Sequence, residues 1–119
     1  MKNNFIIKEI LFLPVKFHTE NISIYSLLKQ SGYFEIYDDI QEIDILKALL
    51  KYPESIESWL LLSENKRTSS GWFFYQNENG KYVVDHFPTE RDSENIEYTD
   101  IREACAFFIK RKIEDIRIS

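Results

Sequence analysis

The clearest pattern in the chain is a pair of aromatic-rich segments, residues 71–76 and 81–87, on either side of Asn77-Glu78-Asn79-Gly80. Asn-Gly between β-forming segments predicts a hairpin, because both turn residues tolerate a positive φ. A two-residue turn and a four-residue turn place the same side chains on each face of the hairpin, since the two pairing registers differ by an even number of residues. The two predicted faces are both aromatic-rich, with Phe73, Tyr75, Tyr82, Val84 and His86 on one and Trp72, Phe74, Val83, Asp85 and Phe87 on the other.

Two segments in the first half of the chain, 22–31 and 43–51, carry apolar residues at helical spacing. Asn21 or Ser23 is a candidate N-cap for the first segment, and Gly32 is a candidate terminator. Both segments are therefore predicted to be helices.

A longer helix is predicted over about residues 100–117, with Thr99 or Asp100 as its cap. Its apolar positions form a stripe that is expected to face the core. The stripe comprises Ile101, Ala104, Cys105, Phe108, Ile109, Ile113 and Ile116.

Three further segments are predicted as strands. Residues 5–13 are so apolar that periodicity does not separate a buried strand, ended by Pro14, from a short helix, and we favour the strand. Residues 56–62 resemble a core strand, and 33–37 a short edge strand.

The element order predicts an α+β fold. It consists of a mainly antiparallel sheet with a central aromatic hairpin, helices packed on the sheet, and a long C-terminal helix. Residues 63–70 and 88–98 are predicted loops. The length of 119 residues suits a single domain over 1–119, since domains commonly have about 100–150 residues.

The net charge is −5, which argues against a direct nucleic-acid binder and against docking on anionic lipid. No stretch of about 18 apolar residues exists to span a membrane, and the N-terminal segment lacks a secretory core. One cysteine permits no internal disulfide. We therefore expect a cytoplasmic protein.

The negative charge is concentrated in two segments, 35–57 and 85–103, each with seven acidic and two basic residues. Such segments commonly serve only as solvated loops. They would also suit a basic partner, because an acidic face speeds encounter and orients docking. The candidate partner-binding carboxylates are Asp38, Asp39, Glu42, Glu90, Asp92 and Glu94.

Other residues carry weaker chemical hypotheses. Asp38, Asp39, Glu42 and Asp44 have the residue types of an acid–base pair or a Mg²⁺ site, but their spacing favours helix capping. Cys105 would need His18 or His86 as a base to act as a nucleophile, and its place on the apolar stripe favours core packing.

Trp59 and Trp72 would stack nucleic-acid bases only beside a basic groove, so core packing is favoured for both. No catalytic residue, cofactor or metal is predicted.

Three segments, 56–63, 66–74 and 103–109, together resemble small bacterial immunity proteins of contact-dependent growth inhibition and related polymorphic toxin systems. The shared features are the apolar segment around Trp59, the Thr68-Ser69-Ser70-Gly71-Trp72 turn and the closing helix. The resemblance implies a non-enzymatic antitoxin that binds one toxin domain, often a nuclease.

Three hypotheses follow. The first is an immunity protein that covers the active site of a basic toxin domain with an acidic, aromatic-anchored face. The second is a non-enzymatic adaptor or regulatory protein-binding domain, for which an apolar hairpin face would also serve a homodimer. The third, a small carboxylate-dependent enzyme, has the least support.

Overall fold

A computed structural model describes residues 2–63, 71–87 and 96–118. The helices, in chain order, are α1 (Lys2–Leu11), α2 (Leu13–Thr19), α3 (Ile24–Ser31), α4 (Tyr33–Ile36), α5 (Glu42–Lys51), α6 (Ser55–Ser63) and α7 (Ile101–Ile118). The strands are β1 (Gly71–Gln76), β2 (Tyr82–Phe87) and β3 (Ile96–Tyr98), which form one antiparallel sheet in that order. The predicted α+β class, with an antiparallel sheet and a long C-terminal helix, is confirmed.

The hairpin is confirmed, but its turn is neither of the two predicted forms. Asn77 N–H donates to the Lys81 carbonyl at 2.8 Å, and Gly80 N–H donates to the Asn77 carbonyl at 3.1 Å. Gly80 has a φ of +78°. This is the three-residue turn in which a left-handed glycine follows a type I turn.

The three-residue turn shifts the pairing by one position, so the predicted hairpin faces were wrong. Gln76 pairs with Tyr82, and Phe74 pairs with Val84. Phe74 therefore shares its face with Tyr82 and Val84, rather than with Val83 and Asp85. This corrected face packs on α7, where Phe74 meets Phe108 at a ring-centroid distance of 4.8 Å.

Helix α7 lies between the sheet and the other helices, and it contacts α3, α5, α6 and each of the three strands. The predicted stripe is confirmed: Ala104, Cys105, Phe108, Ile109 and Ile113 are buried, while Ile101 and Ile116 are half-buried against the core. Burial extends beyond the stripe to the neighbouring Ala106, Phe107 and Lys112. The helix is therefore covered on more than one face.

Phe108 joins the two halves of the core. Its ring lies edge-on to Trp59 of α6 at 6.1 Å and also contacts Phe74 of β1. The Trp59 indole N–H donates to the Leu11 carbonyl at 3.0 Å, which ties α6 to the end of α1. One aromatic cluster thus connects the N-terminal helices, α7 and the sheet.

Both other predicted helices are confirmed. Ser23 is the cap of α3, since its Oγ accepts from Ser26 N–H at 3.1 Å, and Gly32 follows the helix with a φ of +94°. Asp100 caps α7, since its Oδ1 accepts from Arg102 N–H at 2.9 Å.

The three strands predicted outside the hairpin were wrong. Residues 5–11 lie in α1, and Phe12 and Leu13 begin α2 as its N-cap and first residue. Pro14 lies in the first turn of α2, where its missing N–H costs nothing. Residues 56–62 lie in α6, and 33–37 form α4 and a 3₁₀ turn, Tyr37–Asp39. The buried positions of α1 and α6 recur at helical spacing, but exposed apolar side chains such as Phe5 and Leu61 hide this spacing in the sequence, which explains the error.

The loop predicted over 88–98 is also corrected in part, because its last three residues form β3 beside β2. The remainder, 88–95, lies outside the described residues, as do residues 64–70 of the other predicted loop.

We expect Phe108→Leu to lower the free energy of unfolding by about 2 kcal/mol, because it removes ring contacts on two sides of a close-packed site. Urea denaturation followed by circular dichroism would measure the change. The control is Leu61→Ala in α6, where the side chain is exposed and a change within about 0.5 kcal/mol is expected. Equal effects from the two substitutions would contradict the central role of Phe108.

Candidate protein-binding groove

A groove of about 290 Å³ lies where α5, α7 and β3 meet. Its walls combine apolar side chains with two carboxylates. The lining residues are Glu42, Ile43 and Leu46 from α5, Tyr98 from β3, and Glu103 and Ala106 from α7. We call these six residues the acidic groove.

Helix α5 both packs on the core and lines the groove, because it carries two apolar faces. Ile45 and Leu49 are fully buried against the core. Ile43, Leu46 and Leu50 recur at i, i+3 and i+7 and form a second stripe. Ile43 and Leu50 are 53% and 55% exposed. An exposed apolar stripe beside charged groups is a common feature of protein-binding surfaces.

The groove carries a negative field. Burial raises the pKa of the Tyr98 phenol, and the nearby charges of Glu42 and Glu103 raise it further, while Arg111 acts weakly in the opposite direction. Glu42 and Glu103 come from different helices, yet both act on the same phenol. The site therefore combines an apolar floor, a phenol hydroxyl and two carboxylates, a set suited to an apolar side chain with a cation beside it.

A half-buried lysine of α7, Lys110, fixes the segment that precedes the groove. Lys110 Nζ donates to Tyr33 Oη at 2.8 Å, to the Tyr37 carbonyl at 3.1 Å and to the Ile40 carbonyl at 2.6 Å. The ammonium thereby gives all three of its protons to acceptors. These bonds hold the 3₁₀ turn, and the start of α5 after it, against α7.

The same network continues along α7. Tyr33 Oη donates to Glu114 Oε2 at 2.7 Å, and Arg117 Nε donates to that oxygen at 2.7 Å. Burial lowers the pKa of Lys110 and raises that of Tyr33. Burial alone would raise the pKa of Glu114, but the hydrogen bonds from Arg117 and Tyr33 outweigh it and lower that pKa. The Arg117 guanidinium also lies 3.7 Å from the Tyr37 ring centroid.

Three of the six predicted partner-binding residues belong to the described part of the chain. Glu42 lines the groove and is half-buried. Asp38 and Asp39 are exposed on the 3₁₀ turn just before α5. The other three predicted carboxylates, Glu90, Asp92 and Glu94, lie outside the described residues.

Sequence reasoning did not select Ile43, Leu46, Tyr98 or Glu103 for this site. Glu103 belongs to the acidic segment 85–103, and its charge was the available signal. Ile43 and Leu46 served only to predict the helix over 43–51, since helical spacing does not reveal which apolar face is covered. Tyr98 fell in the predicted loop over 88–98.

The other chemical hypotheses resolve as structural roles. Asp44 Oδ2 accepts the Gln41 N–H at 2.8 Å in a capping box, as its position predicted. Cys105 is fully buried in the core, and burial raises the pKa of its thiol. In the part of the chain that the structure describes, no three His, Cys, Asp or Glu side chains cluster as a metal site would require.

Comparison with models of protein families, with curated proteins and with solved structures finds no match to the chain. No helix within residues 2–63, 71–87 and 96–118 is long and apolar enough to cross a lipid bilayer. The chemistry of the groove therefore bears most directly on function.

We expect the Glu114 network to make stability depend on acidic pH. A carboxylate with a lowered folded pKa stabilises the fold above its ordinary titration range, and this contribution is lost as the pH falls through the folded pKa. The protein should therefore lose stability below about pH 4.5. In Glu114→Gln the loss should be smaller, and stability at neutral pH should fall by about 1 kcal/mol.

Urea denaturation at neutral and acidic pH would measure both effects. Glu57→Gln, at an exposed position on α6, is the control and should keep the pH dependence of the native chain. A pH dependence unchanged by Glu114→Gln would contradict the role assigned to this carboxylate.

Proposed function

We propose that the chain is a bacterial immunity protein that acts in the cytoplasm and neutralises a basic toxin domain. The observation that supports this most directly is the acidic groove, in which Glu42 and Glu103 flank an exposed apolar surface on α5. The resemblance of residues 56–63, 66–74 and 103–109 to immunity proteins suggests that the partner is a toxin domain.

Binding would begin with the apolar stripe. An aliphatic or aromatic side chain of the toxin would enter the groove and remove water from Ile43 and Leu46, and buried apolar area contributes about 25 cal/mol per Å². An adjacent lysine or arginine of the toxin would then pair with Glu42 and Glu103. An apolar centre with a charged rim is the usual arrangement of a binding hot spot.

The acidic turn beside the groove would act over a longer distance. Asp38 and Asp39 are exposed, and the bonds from Lys110 to the turn fix their backbone against α7. The surface on which a nuclease binds its nucleic acid is basic because it holds phosphates, so an acidic face would both be attracted to it and occupy the place of the nucleic acid. Inhibition would thus be steric, with no chemistry performed by this chain.

Co-expression with the reading frame immediately upstream tests this proposal. We expect the chain to restore growth and to form a one-to-one complex whose affinity falls as salt rises. Glu42→Lys combined with Glu103→Lys should weaken the complex about a hundredfold, because two buried charge pairs become repulsive.

The matched control is Glu20→Lys combined with Glu57→Lys, which makes the same change in net charge at exposed positions outside the groove. Equal weakening by both pairs would assign the effect to net charge and contradict the groove as the docking surface. Failure to protect and to form a complex would favour an adaptor or a homodimer.

The apolar stripe makes a separate kinetic prediction. Ile43→Ala should raise the dissociation rate of the complex about tenfold, since truncating a short-range apolar contact acts mainly on dissociation. Surface plasmon resonance would measure both rate constants. Because Ile43 is 53% exposed in the free chain, the free energy of unfolding should change by less than about 0.5 kcal/mol. An unchanged dissociation rate would exclude Ile43 from the interface.

A further inference from the structure

A second cavity, of about 210 Å³, lies on the other flank of α5, between that helix and α1. Its charge is opposite to that of the acidic groove. Lys8 from α1 and Lys47 and Lys51 from α5 line it, together with Asn4 and Tyr52. We call these five residues the lysine pocket. Such a cluster of lysines is unexpected in a chain of net charge −5.

The lysines converge although they come from different helices. Lys8 Nζ lies 5.5 Å and Lys51 Nζ 5.6 Å from the centroid of the Tyr52 ring. Lys47 is one helical turn before Lys51 on the same face of α5, an arrangement that is mildly repulsive for like charges. The Tyr52 ring attracts the Lys8 and Lys51 ammonium groups, because its electron-rich face attracts cations, and this favours their placement beside one cavity.

Among the described residues, the three ammonium groups have no carboxylate partner. Within residues 2–63, 71–87 and 96–118, no carboxylate oxygen lies within 4.0 Å of Nζ of Lys8, Lys47 or Lys51. Asp44 also lines the cavity, but one of its oxygens accepts the Gln41 N–H at the start of α5. Three cations therefore face one partly engaged carboxylate, and the pocket has a net positive charge.

We propose that the lysine pocket binds the phosphate group of a small soluble molecule. Lysine ammonium groups act as compact point charges, which suit a phosphate dianion, whereas a single carboxylate is recognised best by the planar fork of arginine. The Asn4 amide adds donors to the same cavity. Inorganic phosphate and a phosphomonoester share this chemistry. The site lies away from the acidic groove, so it does not depend on the toxin.

Chemical-shift titration of the full chain, at constant ionic strength and about pH 8, tests the proposal. The ligands are inorganic phosphate and glycerol 1-phosphate, with acetate and chloride for comparison. Both phosphates should give saturable shifts of α1 and α5 amides, with an affinity about tenfold above that of acetate. Tighter binding of the ester would assign the pocket to an organic phosphate, and equal binding would assign it to the inorganic ion.

The triple variant Lys8→Gln, Lys47→Gln and Lys51→Gln should lose about tenfold or more in phosphate affinity. All three side chains are exposed, so the variant should fold, and its circular dichroism would verify this. Lys81→Gln, at an exposed position in the hairpin turn, is the control and should bind as the native chain does. Shifts that chloride reproduces, or that survive in the triple variant, would overturn the proposal.

Discussion

The contact between Phe108 and its two aromatic neighbours holds the molecule together. Trp59 belongs to the helical layer and Phe74 to the sheet, and the Phe108 ring contacts both. A three-stranded sheet with one short strand has little stability of its own, so it depends on a helix to cover its apolar face. Helix α7 provides that cover, and the same helix supplies Lys110, which fixes the turn before α5. The position of the acidic groove thus follows from how α7 is buried.

Helix α5 separates two sites of opposite charge. Its buried face, with Ile45 and Leu49, packs on the core, and the flanks on either side remain accessible. One flank meets α7 and β3 and carries the carboxylates of the groove, while the other meets α1 and carries lysines. A net charge of −5 conceals this separation. Local charge placement, rather than the total, determines which partner each surface suits.

Parts of this arrangement could be predicted from the sequence. Gly32 was predicted as a helix terminator, and Ser23 and Asp100 were each one of two candidate caps, because capping is a local interaction. The hairpin was predicted from Asn79-Gly80, but its register was not, since Gly80 takes a left-handed conformation in a three-residue turn rather than in a two-residue or four-residue one.

The remaining features of the fold and of the groove could not be predicted from the sequence, because they depend on tertiary contacts. Helices α1 and α6 resemble strands in sequence because exposed apolar residues, such as Phe5 and Leu61, extend the apolar run beyond the buried face. Glu42 was found from charge density, whereas Tyr98 reaches the groove only through the pairing of β3 with β2. Whether the acidic groove is the docking surface can be tested by hydrogen–deuterium exchange of the chain, with and without the product of the upstream reading frame. Docking at the groove should give new protection confined to α5, β3 and the first turns of α7. Protection confined to the hairpin turn, or to α1 and α2, would contradict it.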